Sequence, residues 1–196
     1  MSSVGAPRQR ADDDTVLAAR AADGDLGAFE RLVERHRGVV HRVARRFVGA
    51  DDAEDVSQDA FLRAFHRLRG FRGDAPFRAW LLRITHNAAL DHVARRRAEP
   101  VEPSRLATQE PAAGPRPPAE RLEARERVHR LEQKLQSLSV SHRTVLVLRD
   151  VEGLSYDEIA QVTDWPLGSV KGRLHRARRE FIELLRANTY DWELPA

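Results

Sequence analysis

Apolar residues recur at helical spacing over most of the first half of the chain. Between residues 14 and 93 they return every three or four positions, and no run alternates as a half-buried strand would. The pattern is interrupted at Gly24, at 49–52 and at 69–75, where glycine and aspartate residues lie. These interruptions predict four helices and no β-sheet in this part of the chain.

The fourth of these helices has a defined start in the sequence. Asp74 is a candidate N-cap, and Pro76 suits the first turn, where its missing backbone N–H would have no helical partner. The helix carries an apolar stripe that we expect to face the core. The stripe consists of Phe77, Trp80, Leu81, Ile84 and Ala88.

Helical periodicity returns in the second half, from residue 121 to residue 185. A long charged helix to Gln136 precedes a helix that contains Val145, Leu146 and Leu148. The segment therefore predicts a second helical unit.

Two closely spaced helices end this second unit. The first opens with a capping box, Ser155 and Glu158, and ends near Thr163. After a short turn, Pro166 suits the first turn of a longer helix. A short helix, a tight turn and a longer helix indicate a helix-turn-helix. The inward stripe of the longer helix consists of Val170, Leu174, Ala177, Phe181 and Leu184 or Leu185.

The stretch between the two units is a linker. Residues 98–120 contain six prolines and no apolar periodicity. A flexible chain of this length spans about 25 Å on average and about 70 Å when extended, so the two halves need not touch. We expect an all-α protein: two small helical domains, 14–97 and 121–186, joined by a flexible proline-rich linker, with mobile termini at 1–13 and 187–196.

Composition argues against several classes of function. The 196 residues are 41% hydrophobic with no cysteine, so compact cores can form but no disulfide, thiolate nucleophile or cysteine zinc site. Eight histidines lack ligand spacing and no nucleophile or phosphate-loop motif occurs, so we expect no metal, no cofactor and no enzyme activity. No apolar run approaches the roughly 20 residues of a bilayer span, and the start lacks the apolar core of a signal peptide. We expect a cytoplasmic protein without membrane insertion.

The last helix of the helix-turn-helix concentrates positive charge. The net charge is only +3, yet no acidic residue occurs between Asp164 and Glu180, and small residues at 168, 169 and 172 allow close approach. An isolated basic helix is as easily a solvated surface, but the capped helix and turn before it favour binding in the DNA major groove. The cations are Lys171, Arg173, Arg176, Arg178 and Arg179.

The fourth helix and the loop before it combine aromatic with cationic residues. Aromatic rings stack on unpaired bases with about 1–3 kcal/mol per base, and an amide such as that of Asn87 can read the edge of a base lifted from the stack. Phe77 and Trp80 lie on the inward stripe, so we favour core packing for these two. Asn87 and the loop 71–74 are better candidates for function.

A third cluster is acidic. Five acids occur within residues 51–59 and no cation follows until Arg63, so this helix would repel DNA. Helix capping accounts for Asp51 and Asp52, because acids favour a helix N-terminus. It does not account for the acids further along, and acids beside exposed apolar residues fit docking onto a basic protein. We favour docking over a merely solvated face.

Three strings of residues resemble the extracytoplasmic-function sigma factors of bacterial RNA polymerase. They are Asp55–Phe61 (DVSQDAF), Phe71–Asn87 (FRGDAPFRAWLLRITHN), and Leu154–Ala160 (LSYDEIA) continuing into Pro166–Arg178 (PLGSVKGRLHRAR). Three ordered motifs across a linker are far more specific than a helix-turn-helix alone. The resemblance covers residues 14–97 and 121–185.

For the first half, the resemblance implies sigma domain two, which docks on the β′ clamp helices of core RNA polymerase. The polymerase-binding residues it implies, with the acids that precede them, are Asp51, Asp52, Asp55, Gln58, Asp59 and Phe61. It also implies that the loop and fourth helix melt and read the −10 promoter element. The residues for that role are Phe71, Arg72, Asp74, Arg83 and Asn87.

For the second half, the resemblance implies sigma domain four, which reads the −35 element and touches the β flap. The implied DNA-binding residues are Ser169, Lys171, Gly172, Arg173, His175, Arg176 and Arg179. Gly172 and His175 differ from residues common at these positions, so a relative's −35 sequence cannot be transferred. The family also implies an anti-sigma factor, which would cover the polymerase-binding surfaces of both halves.

Two other functions remain open from the residues alone. A stand-alone transcription regulator would use the same helix-turn-helix, but it has no use for an acidic docking helix beside an aromatic and cationic loop. An adaptor without DNA binding does not explain the basic helix. The expected mechanism divides the work: polymerase and phosphate contacts supply affinity, and a few base contacts at two elements supply specificity.

Overall fold

The structure is a computed structural model that describes residues 7–98 and 119–187, with side chains placed for 13–98 and 127–187. Both described parts are helical, as the predicted all-α class requires. The helices are α1 Pro7–Ala22, α2 Leu26–Val48, α3 Ala53–Arg67, α4 Phe77–Ala98, α5 Ala119–Ser137, α6 Val140–Leu146, α7 Tyr156–Thr163 and α8 Leu167–Arg186. A short 3-10 turn covers Leu68–Gly70, and a π-helical turn covers Val147–Val151.

Local capping fixes several helix starts. The Asp25 carboxylate accepts from the backbone N–H of Ala28 at 3.0 Å and caps α2. Ser155 and Glu158 form the predicted capping box of α7, with distances of 3.2 and 2.7 Å. The short α7 therefore begins at a well-defined residue, which sets the geometry of the helix-turn-helix.

Two helices that follow a proline start slightly later than predicted, α4 by two residues and α8 by one. The Pro76 carbonyl accepts from the N–H groups of Ala79 and Trp80 at 2.9 and 3.2 Å, so Pro76 precedes the first turn and Asp74 lies too early to cap α4. Pro166 is likewise the N-cap of α8, with an extended ψ of 140°. Both prolines stand just outside the helix and not in its first turn.

The ends of the predicted domains lie close to helix ends. Helix α4 ends at Ala98 and α8 ends at Arg186, near the predicted boundaries at 97 and 186. Helix α1 begins at Pro7, before the predicted boundary at residue 14. That boundary coincides with Asp14, the first buried side chain among those described. The segments 1–6, 99–118 and 188–196, and with them most of the predicted linker and tail, lie outside the described residues.

Helix α2 is the centre of the N-terminal domain and packs on α1, α3 and α4. Phe77, at the start of α4, is 1% exposed, which confirms its assignment to the core. Trp80 is only half-buried, and its ring lies 5.2 Å from that of Phe71 and 5.4 Å from that of Phe77. The prediction that Trp80 belongs to the core is thus only partly confirmed, because its ring also contacts Phe71 in the loop before α4.

The two domains, which the linker would allow to separate, pack against each other. Helix α7 lies on α4, α5 touches α2, and one hydrophobic core includes buried residues of both domains. Arg143 is buried at this seam and donates to the carbonyls of Leu135, Leu138 and Phe47 at 3.0, 3.2 and 3.0 Å. A guanidinium has enough donors to satisfy several carbonyls at once, so Arg143 ties the α5–α6 turn to the end of α2.

Candidate protein-docking and nucleic-acid interfaces

An apolar groove of about 730 Å³ lies between α2 and α3. Leu62 and Phe65 on α3 are 61% and 40% exposed, although large apolar side chains usually avoid water. The groove is lined by Phe29, Val33, His41, Gln58, Phe61, Leu62 and Phe65, among others. A continuous apolar patch of this kind marks a surface that a partner covers.

The acidic residues of α3 do not all face this groove. Asp55 and Asp59 line a polar depression on the other side of the helix, against the end of α4. Asp59 lies 2.8 Å from Arg63, which also binds Asp91 at 2.5 Å. The predicted docking residues therefore occupy two faces of one helix: Gln58 and Phe61 in the groove, and the acids Asp55 and Asp59 beside α4.

Asp51 and Asp52, the two acids before α3, do not cap the helix through their side chains in the way predicted for both. Asp52 is the N-cap residue, but its side chain makes no capping bond to α3. Its carboxylate accepts instead from Arg96 and lies 3.2 Å from His92, both on α4. Asp51 is exposed. The expectation that Asp52 caps the helix through its side chain is wrong, because a guanidinium on α4 competes for the same oxygens.

The loop before α4 forms one wall of a pocket of about 310 Å³. Four of the predicted −10 residues line it: Phe71, Arg72, Asp74 and Arg83. Gly73 has φ +77°, a left-handed conformation that other residues adopt only with strain, so this glycine allows the loop to turn. Trp80 also lines the pocket, and its exposed face could stack on a base.

Asn87 lies outside this pocket, one turn along α4 from Arg83, and is exposed. The predicted −10 residues are therefore a cluster of four with a fifth beside them. The opposite wall of the pocket comes from the C-terminal domain, through Gln161 and Val162 of α7. Arg83 binds Asp164 at 2.6 Å across the same boundary. The pocket in this structure is shared by both domains.

Helix α8 sorts its polar residues by angle. Val170, Leu174 and Ala177 are buried and define its inward face. At 100° per residue, the opposite face carries Gly172, His175, Arg176 and Arg179. Lys171 lies on one edge of this face, and Ser169 and Arg173 lie on the other.

Two aromatic side chains hold the edge cations. Arg173 lies over the Trp165 ring at 4.3 Å from its centroid, and Lys171 lies 5.9 Å from the Tyr156 ring. Arg178 is engaged elsewhere, with both guanidinium contacts on Asp150 at 3.0 and 2.5 Å. The hydrogen bonds that Arg178 donates to Asp150 raise the pKa of Arg178. The angular position on α8 thus separates cations that face outward from cations that contact an aromatic ring or a carboxylate.

Sequence reasoning missed two groups of residues. Leu62 and Phe65 are exposed and do not belong to the buried face of α3. Large apolar residues outside that face were the sequence signal that could have indicated an interface. Glu132 and Glu152 are acids of the C-terminal domain buried against arginines of the N-terminal domain. Sequence periodicity cannot predict these arginine–glutamate pairs, because the two partners lie far apart in the chain.

Within the described ranges, no group of three or more His, Asp or Glu side chains could hold a metal ion. None of the helices described combines the length and apolarity of a membrane span.

Comparison with known families follows this division into two domains. The profile for Sigma-70 region 2 matches residues 32–99, and that for Sigma-70, region 4 matches 129–181. An RNA polymerase sigma-H factor of Pseudomonas aeruginosa is 38% identical over 175 residues, covering 85% of this chain and 91% of the relative. The ECF RNA polymerase sigma-E factor of Escherichia coli K12 is similar as well, at 35% identity over 84% of this chain and 90% of the relative. The chain belongs to the extracytoplasmic-function sigma factors.

Solved structures share the arrangement. CnrH, in complex with the cytosolic domain of CnrY, is 35% identical, with a TM-score of 0.70 over 90% of this chain and 99% of CnrH. The sigma factor RpoE of Bartonella quintana, in complex with the anti-sigma factor NepR, has a TM-score of 0.63 over 82% of this chain and 98% of its own; its 22% identity supports the fold only. This sigma factor is therefore a transcription initiation factor that acts with RNA polymerase and promoter DNA.

Proposed function

We propose that the α2–α3 groove and the adjoining acids of α3 dock this sigma factor on the clamp helices of the polymerase β′ subunit. The exposed Leu62 and Phe65 supply apolar contact area, and Asp55 is an exposed acid that attracts a basic partner. The groove carries this proposal, because it is apolar, open to solvent and next to an acidic surface in the same helix. Of the predicted residues, Gln58 and Phe61 line it.

Promoter reading is assigned to two surfaces on different domains. The pocket at Phe71–Asp74, with Trp80 and Arg83, would capture an unpaired base of the −10 element, and Asn87 would contact the strand one turn further along. The outward face of α8, with Gly172, His175, Arg176 and Arg179, would enter the major groove at −35. Lys171, Ser169 and Arg173 on the edges would then contact phosphates, which positions the helix without reading bases.

Regulation follows from the same exposed groove. An anti-sigma factor that covered Leu62 and Phe65 would exclude polymerase by direct competition. The anti-sigma complex of the Bartonella quintana protein, which shares the fold, gives a precedent for such an inhibitor. The outer surface of the C-terminal domain is the candidate for contact with the β flap. The protein would work in the cytoplasm, where polymerase and DNA are.

A matched pair of substitutions tests the docking surface. Leu62→Glu puts a charge into the groove, whereas Val16→Glu makes the same change on α1, where Val16 is 60% exposed. We expect Leu62→Glu to weaken binding to core polymerase at least tenfold and to abolish promoter-specific run-off transcripts, since burying an unpaired charge costs several kcal/mol. Val16→Glu should leave both unchanged. Pull-down with purified core polymerase and run-off transcription measure the two effects.

Two outcomes would contradict the proposal. Equal polymerase binding by Leu62→Glu and Val16→Glu would move the docking surface elsewhere. A wild-type protein that fails to bind core polymerase but binds duplex DNA specifically on its own would favour the stand-alone regulator. Thermal unfolding of both variants shows that they are folded.

A further inference from the structure

A row of arginines covers the face of the N-terminal domain that meets the C-terminal domain. We call it the arginine row; it consists of Arg42, Arg45 and Arg46 on α2 and Arg78 and Arg83 on α4. Four of the five bind carboxylates of the other domain. The pairs are Arg42–Glu152 at 3.3 Å, Arg78–Glu152 at 2.9 Å, Arg45–Glu132 at 2.8 Å and Arg83–Asp164 at 2.6 Å.

The carboxylates, and not the arginines, are the buried partners in the centre of the row. The Glu152 side chain is 2% exposed, whereas that of Arg42 is 54% exposed. Arg78 also donates to the backbone carbonyl of Glu152 at 3.0 Å. Glu152 is thus inserted between two guanidinium groups, in the position that a bound anion would take. A guanidinium fork recognises carboxylate and phosphate with the same geometry.

The row keeps an excess of positive charge even when the domains are closed. Five arginines face the three carboxylates named above. Burial lowers the pKa of Arg46, whose Nε has no hydrogen-bond acceptor among the described residues. If the domains separate, the four paired guanidinium groups lose these neutralising partners. The exposed surface would then attract a polyanion.

The row is continuous with the pocket assigned to the −10 element. Arg83 lines the pocket together with Trp80, and Arg78 lies five residues before Arg83 on the same helix, α4. The same closure that pairs the arginines places Gln161 and Val162 of α7 against the pocket. One movement of the C-terminal domain would therefore uncover the pocket and the row together. A DNA strand held in the pocket would have a cationic path along α4 and α2.

We propose that the arginine row binds the phosphate backbone of unpaired promoter DNA, and that Glu132, Glu152 and Asp164 occupy the phosphate positions while the domains are closed. The proposal rests on the −10 role of the pocket and adds Arg42, Arg45 and Arg78 to the DNA-contacting residues. The C-terminal domain and the DNA strand compete for one surface. Free protein should therefore bind single-stranded DNA poorly until the carboxylates are removed.

The first test neutralises the carboxylates in the full-length protein. The variant Glu132→Gln/Glu152→Gln/Asp164→Asn keeps the side-chain shapes. Its control, Asp13→Asn/Asp23→Asn/Glu34→Gln, removes the same number of negative charges from exposed positions of the N-terminal domain. With a labelled single-stranded oligonucleotide at low salt, we expect the first variant to bind at least tenfold more tightly than the control. Equal affinities of the two variants would overturn the idea that the carboxylates stand in for phosphates.

The second test removes the arginines and uses the holoenzyme. Arg42→Gln/Arg45→Gln/Arg78→Gln should lower the slope of log affinity against log salt for a pre-melted promoter by about 2, because each phosphate contact on a single strand contributes about 0.7. The control Arg31→Gln/Arg67→Gln/Arg127→Gln should keep the wild-type slope. An unchanged slope in the first variant would overturn the proposal.

Transcription by the wild-type holoenzyme separates a failure of the arginine-row proposal from a failure of the proposed −10 function. The wild-type holoenzyme must give promoter-specific transcripts for the −10 role to hold. If it does so while both tests give the contrary result, only the arginine row is excluded. If it does not, the −10 assignment itself fails.

Discussion

At the scale of single residues, the cations of α8 differ in what holds them. Arg178 donates two hydrogen bonds to the Asp150 carboxylate, whereas Arg176 is exposed on the outward face. Sequence alone gives these two arginines the same charge and the same helix. Only the angle around the helix and the partner on the π-helical turn separate them.

This difference predicts unequal effects on DNA binding. Arg176→Ala should lower holoenzyme affinity for a −35 promoter by roughly tenfold or more, because a base-edge contact contributes about 1–3 kcal/mol. Arg178→Ala should have a much smaller effect, since its guanidinium is occupied. Electrophoretic mobility shift with matched promoters, intact or scrambled at −35, measures both. A larger loss with Arg178→Ala would contradict this assignment.

At the scale of elements, α7 depends on its first turn. With eight residues, Tyr156–Thr163, it is too short to be stable without caps and packing. Ser155 and Glu158 satisfy the N-terminal N–H groups, and Ile159 and Val162 anchor the helix in the core. The position of α7 decides where the turn delivers α8.

We therefore expect Ser155→Ala to lower the free energy of unfolding by about 1 kcal/mol, the usual contribution of a serine cap. Glu158→Gln should cost less, because the amide oxygen can still accept from the Ser155 N–H. Urea denaturation followed by circular dichroism measures both changes. No loss in Ser155→Ala would mean that packing alone holds the helix.

The elements were largely predictable, and their faces were not. Capping chemistry and breaks near Gly24 and Gly49 are local, so the helices of the N-terminal domain could be placed from sequence. For α3, periodicity separates the inside of the helix from the outside. It does not say that Phe61 faces α2 while Asp59 faces α4, because that depends on how three helices pack. The proposed docking residues were therefore predicted on one helix, and the structure divides them between two of its faces.

At the scale of the whole molecule, His86 lies at the seam between the domains. Its Nε2 is 3.1 Å from the Thr144 hydroxyl, and its ring meets the edge of Phe47 at 5.4 Å. Burial lowers the pKa of His86 to about 4, from 6.5. The folded protein therefore holds this imidazole neutral at pH values where the unfolded chain would protonate it.

Acid should destabilise the folded protein through His86. The stability linked to His86 is complete above pH 6.5 and is lost as the pH falls toward 4, because the unfolded state binds the proton first. Between pH 7 and pH 5 we expect the free energy of unfolding to fall by about 2 kcal/mol. Urea titrations across this range measure it.

A His86→Gln variant provides the control, because it cannot titrate and its slope over this range should be nearly flat. Burial alone would raise the pKa of Asp14, but its hydrogen bonds with His36 and Arg35 lower it, so this carboxyl is not expected to produce the loss of stability between pH 7 and pH 5. An equal slope in wild type and His86→Gln would assign the dependence to another group.

The contact between the domains is the part of the fold that sequence could not supply. Its charged members, Arg143 and Glu152, read as surface residues, because charged side chains are rarely buried. Their burial depends on partners about a hundred residues away, Phe47 and Arg42. A linker of about 20 residues permits such contacts and permits their absence equally.

Gly172 lies on the face of α8 that we propose to read the −35 element. A Cβ at this position would lie 3.6 Å from the Arg176 guanidinium, an ordinary contact with the tip of a flexible side chain. An alanine there would therefore fit, and a longer side chain would extend toward the Arg176 guanidinium. One mutation could then alter two contacts with DNA at once without disturbing the core. Over evolutionary time, a duplicated copy of the gene could acquire its own set of target genes by a single step at this residue.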